Sequence, residues 1–177
     1  MSTTMEYRYP CVVTAGRMPS KVLRAPSPKG DLVSAETRSR IMRAVGQRDT
    51  SAEIAVRRLL HGIGVRFRVG NRDLPGSPDI ANRTRRWAVF VNGCFWHGHK
   101  NCPKTKSKQR PRVPESNRIY WALKFFDNRQ RDARKCREMR MRGFEVAIVW
   151  DCELSDLEGL RDRLRRFIAH AMGGRSD

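Results

Sequence analysis

The segment "DIANRTRRWAVFVN", Asp79–Asn92, predicts the centre of the fold. Its two apolar runs, DIA and WAVFV, flank the polar stretch NRTRR, a pattern typical of a β-hairpin. The turn-forming sequence "GNRDLPGSPD" precedes the hairpin and separates it from a half-exposed strand, "VRFRV", at residues 65–69. A further apolar run, "FEVAIVW" at residues 144–150, predicts a fully buried strand. Together these runs predict a mixed sheet.

Helical patterns lie on both sides of these strands. A short helix is predicted within "AETRSRIMRAVG", and "TSAEIAVRRLLHGIG" begins with a T-x-x-E capping box formed by Thr50 and Glu53. Ser116 is placed to cap a long helix that ends near Arg142, before Gly143. The last helix has five apolar side chains at helical spacing: Leu157, Leu160, Leu164, Phe167 and Ala171. The order α-α-β-β-β-α-β-α predicts an α/β (α+β) domain, a mixed sheet flanked by helices.

The chain carries a large excess of positive charge. Its 177 residues suit one domain, and its formal net charge is +19. An anionic polymer or surface is the natural partner for such a charge. We predict a flexible basic tail over residues 1–33, because Pro, Ser and Gly dominate there without periodicity, and a single domain over residues 34–173.

Two further patterns indicate the compartment. No apolar run approaches the length of a membrane span, and no apolar segment of the kind found in secretory signals follows the N-terminus. The five cysteines are an odd number, and Cys94 and Cys102 are spaced like metal ligands rather than like a secreted disulfide framework. We therefore predict a protein of the reducing cytoplasm without membrane association.

The stretch "FVNGCFWHGHKNC", Phe90–Cys102, is rich in potential metal ligands. Cys94, His99 and Cys102 are spaced closely enough to bind one tetrahedral ion, and zinc suits mixed sulfur and imidazole ligands. A fourth ligand is available in Cys152, just past the last strand, in which case the metal ties the loop to a distant strand. The alternative is a polar loop and an unrelated buried cysteine.

A possible catalytic group lies at the start of the hairpin. Asp79 opens a strand, a common position for a ligand of Mg²⁺, although a turn-forming aspartate is the simpler explanation. Glu53 likewise has a structural explanation as the capping partner of Thr50. If His99 binds zinc, His97 is left over as an imidazole that can activate water near a metal carboxylate.

The basic residues are concentrated in one part of the chain. Residues 104–142 hold 14 Lys and Arg against 4 Asp and Glu, and "KTKSKQRPR" contains no acid. The interleaved aromatics favour phosphate contact combined with base stacking over a merely solvated charge run: Tyr120, Trp121, Phe125 and Phe126. Phe95 and Trp96 lie in a glycine-flanked loop, where they suit either an apolar wedge between base steps or a lid over the core.

Five segments in register resemble the very-short-patch mismatch repair endonucleases. They are "MRAVGQRDTSAE", "LPGSPDIA", "FVNGCFWHGH", "RIYWALKFFDNRQRD" and "FEVAIVWDCEL", and the resemblance runs from Ala35 to Leu154. It implies a PD-(D/E)xK restriction-endonuclease-like core with a zinc-stapled loop. It also implies Mg²⁺-dependent nicking of one strand of double-stranded DNA beside a T:G mismatch that arises from deaminated 5-methylcytosine.

The resemblance implies a role for individual residues. Asp79 would hold Mg²⁺ together with the main-chain carbonyl of Val91, and His97 would be the catalytic imidazole with Glu53 as its carboxylate partner. The implied zinc ligands are Cys94, His99, Cys102 and Cys152. The implied DNA contacts are a wedge and two residues that recognise the mismatched pair: Met42, Phe95, Trp96 and Trp121 for the wedge, Lys124 and Asn128 for the pair.

The chain also departs from the family pattern. Well-studied members carry Thr-His where this chain has Val91 and Asn92, and an asparagine cannot act as an acid or base. Two alternatives therefore stay open: a non-catalytic, zinc-stabilised DNA-binding protein on the same scaffold, and a related nuclease with a different target. The resemblance further implies a monomer with a functional link to a cytosine-5 DNA methylase and to mismatch-repair proteins.

The basic loop, which contains the segment "KTKSKQRPR" at residues 104–112, is expected to bind DNA through its charge rather than by recognising bases. Replacing Lys104, Lys106, Lys108 and Arg110 with Ala is predicted to weaken binding to matched and T:G duplexes similarly. The dependence of affinity on salt becomes shallower, by up to about one unit of slope for each phosphate that is no longer neutralised. Titrations of both duplexes at several salt concentrations measure this, and an unchanged slope would contradict it.

Overall fold

The computed structural model describes residues 49–99, 102–103 and 118–173, together with Glu36 and Arg40. Within these residues the elements follow in the order helix, three strands, helix, strand, helix. The helices are α1 (Ser51–Gly62), α2 (Arg118–Met141) and α3 (Leu157–Gly173); the strands are β1 (Arg68–Val69), β2 (Ile80–Asn82), β3 (Trp87–Asn92) and β4 (Glu145–Trp150). A short 3₁₀ helix, Asp151–Ser155, joins β4 to α3.

The four strands form one mixed sheet in the order β1-β2-β3-β4. The predicted hairpin is confirmed, because β2 and β3 pair antiparallel with Ala81 opposite Ala88. The last strand runs parallel to β3, with Val91 opposite Val149. Parallel neighbours need a long crossover connection, and α2 lies within it.

The two faces of the sheet each bury an apolar layer. Side chains of α1 and α3 pack with one face, where Leu60, Leu164 and Trp87 are fully buried. The opposite face packs against α2 through a second cluster that includes Phe90 and Met139. The period of two along β3 sends neighbouring residues to the two layers, which is why this strand is almost entirely buried.

The start of α1 follows the predicted cap with one change. The Thr50 hydroxyl oxygen accepts a hydrogen bond from the backbone N–H of Glu53 at 3.2 Å, as a capping box requires. The Glu53 carboxylate accepts from the Thr50 hydroxyl at 2.9 Å and from the N–H of Asp49 at 3.1 Å. The Glu53 carboxylate thus binds the N–H of Asp49, one residue before the N–H of the cap residue Thr50 that it would bind in the usual capping box.

One prediction of burial is wrong, and the apolar pattern of the last helix is buried only in part. The run at residues 144–150 is not fully buried: β4 pairs only with β3 among the described strands, Glu145 is exposed, and its neighbours alternate between buried and half-buried. Helix α3 buries four residues, Leu160, Leu164, Ile168 and Ala171. Leu157 is exposed at the helix start, and Phe167 is only half-buried at the margin of the core.

Several predictions lie outside the described residues: the tail over residues 1–33, the helix before residue 47 apart from Glu36 and Arg40, the cap at Ser116 and the basic loop after Pro103. The domain limits of 34 and 173 stay a prediction for the same reason. Of the helices that the structure describes, none combines the length and apolar character needed to cross a membrane.

Truncating Trp87 tests the buried strand. This indole is fully buried in the layer under α1 and α3, so Trp87→Ala is predicted to lower the free energy of unfolding by about 3–5 kcal/mol. The matched control is Phe126→Ala, since that ring is 48% exposed and its loss is expected to change the free energy of unfolding by less than about 0.5 kcal/mol. Urea unfolding of both variants gives the comparison, and equal losses would contradict the assigned core.

Candidate metal centre and active site

The parallel pairing of β3 and β4 places the carboxyl ends of both strands at one edge of the sheet. Asn92 lies opposite Trp150 at the end of the ladder. The chain leaves β3 into the loop Gly93–His99 and leaves β4 into the 3₁₀ helix. Cys94 and Cys152 therefore stand two residues beyond paired strand ends, although 58 positions of sequence separate them.

The four predicted zinc ligands lie together. Among the described residues, the ligand atoms of Cys94, His99, Cys102 and Cys152 all fall within 4.8 Å of one another. The His99 Nδ1 atom is 3.3 Å from the Cys94 Sγ atom and 3.5 Å from the Cys152 Sγ atom. The His99 ring stacks on Trp150 with centroids 4.1 Å apart, which fixes the direction of its nitrogen.

The thiols of this cluster are buried beside the Asp151 carboxylate. Burial raises the pKa of the Cys94 and Cys152 thiols above the ordinary value, and the nearby Asp151 carboxylate raises both further. A divalent ion reverses this preference, because it binds the thiolate form directly. Three thiols and one imidazole form a donor set that suits a structural tetrahedral site. Cys136 lies elsewhere, buried as a small apolar side chain in the layer under α2.

Asp79 stands at the start of β2, beside the end of β3. Its Oδ2 atom accepts a hydrogen bond from the backbone N–H of Val91 at 2.7 Å. Burial raises the pKa of the Asp79 carboxyl, and the nearby charge of Glu53 adds to the effect. Two acidic groups from different elements thus lie near each other, beside Val91 in the last part of β3. The arrangement can hold a hard cation through oxygen ligands.

His97 is oriented by a carboxylate that the sequence did not indicate. Its Nδ1 atom lies 2.5 Å from the Oδ2 atom of Asp132 on α2, and both side chains are largely buried. The predicted partner, Glu53, instead receives hydrogen bonds at its own helix start and a 3.0 Å ion pair from Arg57. The structure therefore gives His97 a different partner from the predicted one.

The aromatic residues of the predicted wedge form one cluster. The Phe95 ring lies 5.1 Å from Trp96 and 5.0 Å from Trp121, measured between centroids, and Trp96 and Trp121 are 6.4 Å apart. Phe125 closes the group at 5.8 Å from Phe95. All four rings are half-buried, so the cluster keeps an accessible face. Met42, the predicted wedge from the other groove, lies outside the described residues.

One stripe of α2 positions the whole loop. The residues recur at spacings of four, three and four, which puts them on one helix face: Trp121, Phe125, Asn128 and Asp132. The Asn128 amide donates to the Trp96 carbonyl at 2.5 Å, and Asp132 binds His97 as described. Lys124 is half-buried on the same helix. Asp132 could have been found from the sequence by this spacing, because it continues the helix face that carries Trp121 and Asn128.

Gly98 shows how closely the loop approaches the helix. Its φ of 56° lies in the left-handed region, and a Cβ atom there would stand 3.0 Å from the Cβ and Cγ atoms of Phe125. A glycine satisfies both the backbone angle and the close contact. The loop is therefore held on one side by the ligand cluster and on the other by α2.

The chain is similar to known DNA endonucleases. The family model described as DNA mismatch endonuclease Vsr matches residues 30–104, which include Asp79 and the Cys/His loop. A relative from Xanthomonas oryzae, the type II nicking enzyme V.XorIIP, is 46% identical over 138 residues, covering 78% of this chain and 96% of the relative.

Two further relatives cover most of the same region. The DNA mismatch endonuclease Vsr of Escherichia coli is 39% identical over 132 residues, covering 75% of this chain and 80% of that protein. The type II nicking enzyme V.NmeAIP of Neisseria meningitidis is 33% identical over 138 residues, covering 78% and 94% of the two chains. The mixed sheet, with its helices on both faces, is the restriction-endonuclease-like core of these enzymes. The chain is a DNA endonuclease and belongs to the Vsr family of DNA mismatch endonucleases.

Proposed function

We propose that the protein nicks one strand of double-stranded DNA beside T:G mismatches that arise when 5-methylcytosine deaminates. The observation that supports this most directly is an oriented imidazole in the loop that leaves β3, together with an acidic pair beside the last residues of the same strand. Asp79 and Glu53 supply oxygen ligands there, and the His97–Asp132 pair supplies an oriented base. The ring cluster of Phe95 and Trp96 lies in the same loop as the base.

The proposed cofactor of the reaction is Mg²⁺, held by the Asp79 carboxylate and the main-chain carbonyl of Val91. When bound, it polarises the phosphate and stabilises charge on the leaving oxygen. The N–H of Val91 holds Asp79 in place, which leaves the second carboxylate oxygen available as a ligand. Glu53 is proposed to complete the acidic site while it caps α1.

His97 is the proposed general base. Its Nδ1 atom contacts the Asp132 carboxylate, so the neutral ring carries its proton there and the Nε2 atom keeps a lone pair. The Nε2 atom takes a proton from the attacking water, and Asp132 stabilises the imidazolium that forms. Asp132 is thus a positioning residue that acts through His97.

The proposed structural ion is zinc, bound by Cys94, His99, Cys102 and Cys152. An ion held by these four ligands would join the loop to the residues after β4, and its binding free energy would then stabilise the folded state. Cytoplasmic reducing conditions keep the thiols available for this purpose. The bound ion would thereby hold the loop in place, together with its catalytic and aromatic residues.

The DNA contacts follow from the cluster beside the loop. Phe95, Trp96 and Trp121 are proposed to fill an unstacked base step, a use of apolar side chains that kinks the duplex. Lys124 and Asn128 are proposed to recognise the mismatched pair, with Met42 acting from the other groove. A monomer with a functional link to a cytosine-5 DNA methylase and to mismatch-repair proteins completes the proposal.

A second candidate function rests on Asn92. This side chain is 7% exposed at the end of β3 and has no acid or base chemistry. It favours a zinc-stabilised protein that binds mismatched DNA without cutting it. Wild-type protein that binds T:G duplexes selectively, yet cuts neither these nor matched duplexes under any divalent metal, would establish this second function in place of the first.

Metal content tests the ligand set. We predict about one zinc per chain, with Cys152→Ala losing it and melting at a lower temperature, because the loop is then released from β4. Cys136→Ala is the matched control, a buried cysteine of the other core layer that is expected to keep its zinc. Elemental analysis of purified protein decides, and zinc retained in full by Cys152→Ala would exclude Cys152 as a ligand.

Separate effects on cutting and binding test the active site. Asp79→Ala and His97→Ala are each predicted to slow single-turnover nicking of a T:G duplex by at least about 10²–10⁴-fold, while binding stays within a few-fold of wild type. Asp132→Asn is predicted to slow nicking in the same direction, because the ring loses its anionic partner.

The contrasting variant is Trp96→Ala, which leaves the acidic site and the base unchanged. It is predicted to lose the preference for T:G over T:A duplexes in gel-shift assays, since the unstacked step is no longer filled. Wild-type nicking by Asp79→Ala would place the active site elsewhere. Strong selectivity retained by Trp96→Ala would remove the indole from the wedge.

A further inference from the structure

Lys135 lies next to the proposed base on α2. Its Nζ atom is 3.5 Å from the Oδ1 atom of Asp132, whose other oxygen contacts His97. The three side chains therefore form a row in which the carboxylate is shared between an ammonium and an imidazole. The side chain of Lys135 is 29% exposed, so the row is open to solvent at one end.

The stem of Lys135 is fixed by the turn that precedes Asp79. Gly76 has a φ of 72°, and a Cβ atom on it would stand only 2.5–2.7 Å from the Cβ, Cγ and Cδ atoms of Lys135. No residue other than glycine leaves room for the lysine stem to cross this turn. The ammonium is thus directed by packing and not only by its charge partner.

The same lysine lines a small cavity at the end of β3. Its polar lining comes from Asn92, Asp132 and Lys135, and its apolar walls from Phe90 and Ile148. Asn92 is neutral, and the Asp132 carboxylate contacts both His97 and Lys135. Lys135 is therefore the cationic side chain of a pocket that adjoins the base.

We propose that Lys135 contacts a non-bridging oxygen of the DNA backbone at the step that is cut, an inference that rests on the proposed function. Attack by water adds negative charge to the phosphoryl oxygens, and a positioned ammonium in a partly desolvated site stabilises it. An ordinary ion pair between helix neighbours needs neither the passage across Gly76 nor a carboxylate already bound to histidine.

The first test compares three variants. Lys135→Gln is predicted to slow single-turnover nicking on the order of 10²-fold. It is also predicted to reduce the slope of log affinity against log salt concentration by about one, with binding measured in Ca²⁺ in place of Mg²⁺. Lys135→Arg keeps the charge and is predicted to restore the slope. The control is Arg137→Gln, an equal loss of charge on an exposed position that is about 200° around the helix. Its nicking rate is expected to equal that of wild type.

The second test locates the phosphate and does not depend on cutting. Single methylphosphonates replace the phosphates around the nick one at a time in a T:G duplex. One position is expected to weaken wild-type binding while leaving the affinity of Lys135→Gln unchanged. Equal losses in both proteins at every position would overturn the contact, provided that Lys135→Gln keeps its zinc content and melting temperature.

The two readouts separate this inference from the function on which it rests. Wild-type protein that fails to nick T:G duplexes, but keeps the position-specific loss in binding, overturns the proposed reaction and supports the lysine contact. Normal nicking by wild type and by Lys135→Gln, with identical salt slopes, overturns the lysine contact and leaves the reaction intact.

Discussion

The parallel pairing of β3 with β4 is the constraint on which the site depends. Parallel strands bring equivalent ends to one edge, so Cys94 and Cys152 become neighbours only if the register Asn92–Trp150 is kept. A slip of one residue would turn the side chains of β4 to the opposite face and remove Val149, which is fully buried, from the layer under α1 and α3. The hydrophobic layers on the two faces of the sheet thus stabilise the register that brings the candidate metal ligands together.

The crossover that makes this pairing possible also completes the site. Helix α2 joins the two strands, and its stripe of Trp121, Asn128 and Asp132 holds the loop that follows β3. The C-terminal half of the helix packs into the core through Cys136 and Met139. One helix therefore contacts the aromatic cluster, the imidazole and the sheet.

Sequence patterns predicted what depends on near neighbours. The hairpin, the start of α1 and the compact spacing of Cys94 and His99 are local features, and each is present in the structure. Asp132 was missed because its partner His97 lies 35 positions away, and the two side chains meet only through the packing of α2 on the loop. The burial of β4 was overestimated because an apolar run does not reveal whether a strand has one neighbour or two.

The arrangement of the loop explains why recognition and cutting would proceed together. Trp96 and His97 are consecutive, and Asn128 and Asp132 hold them one helical turn apart on α2. If Trp96 enters the base stack as proposed, it would also fix the position of the neighbouring His97 imidazole relative to the strand. A matched duplex resists unstacking, at a cost of a few kcal/mol, and would leave that imidazole unaligned with the phosphate. Discrimination against matched DNA can thus be expressed in the rate of cutting as well as in affinity.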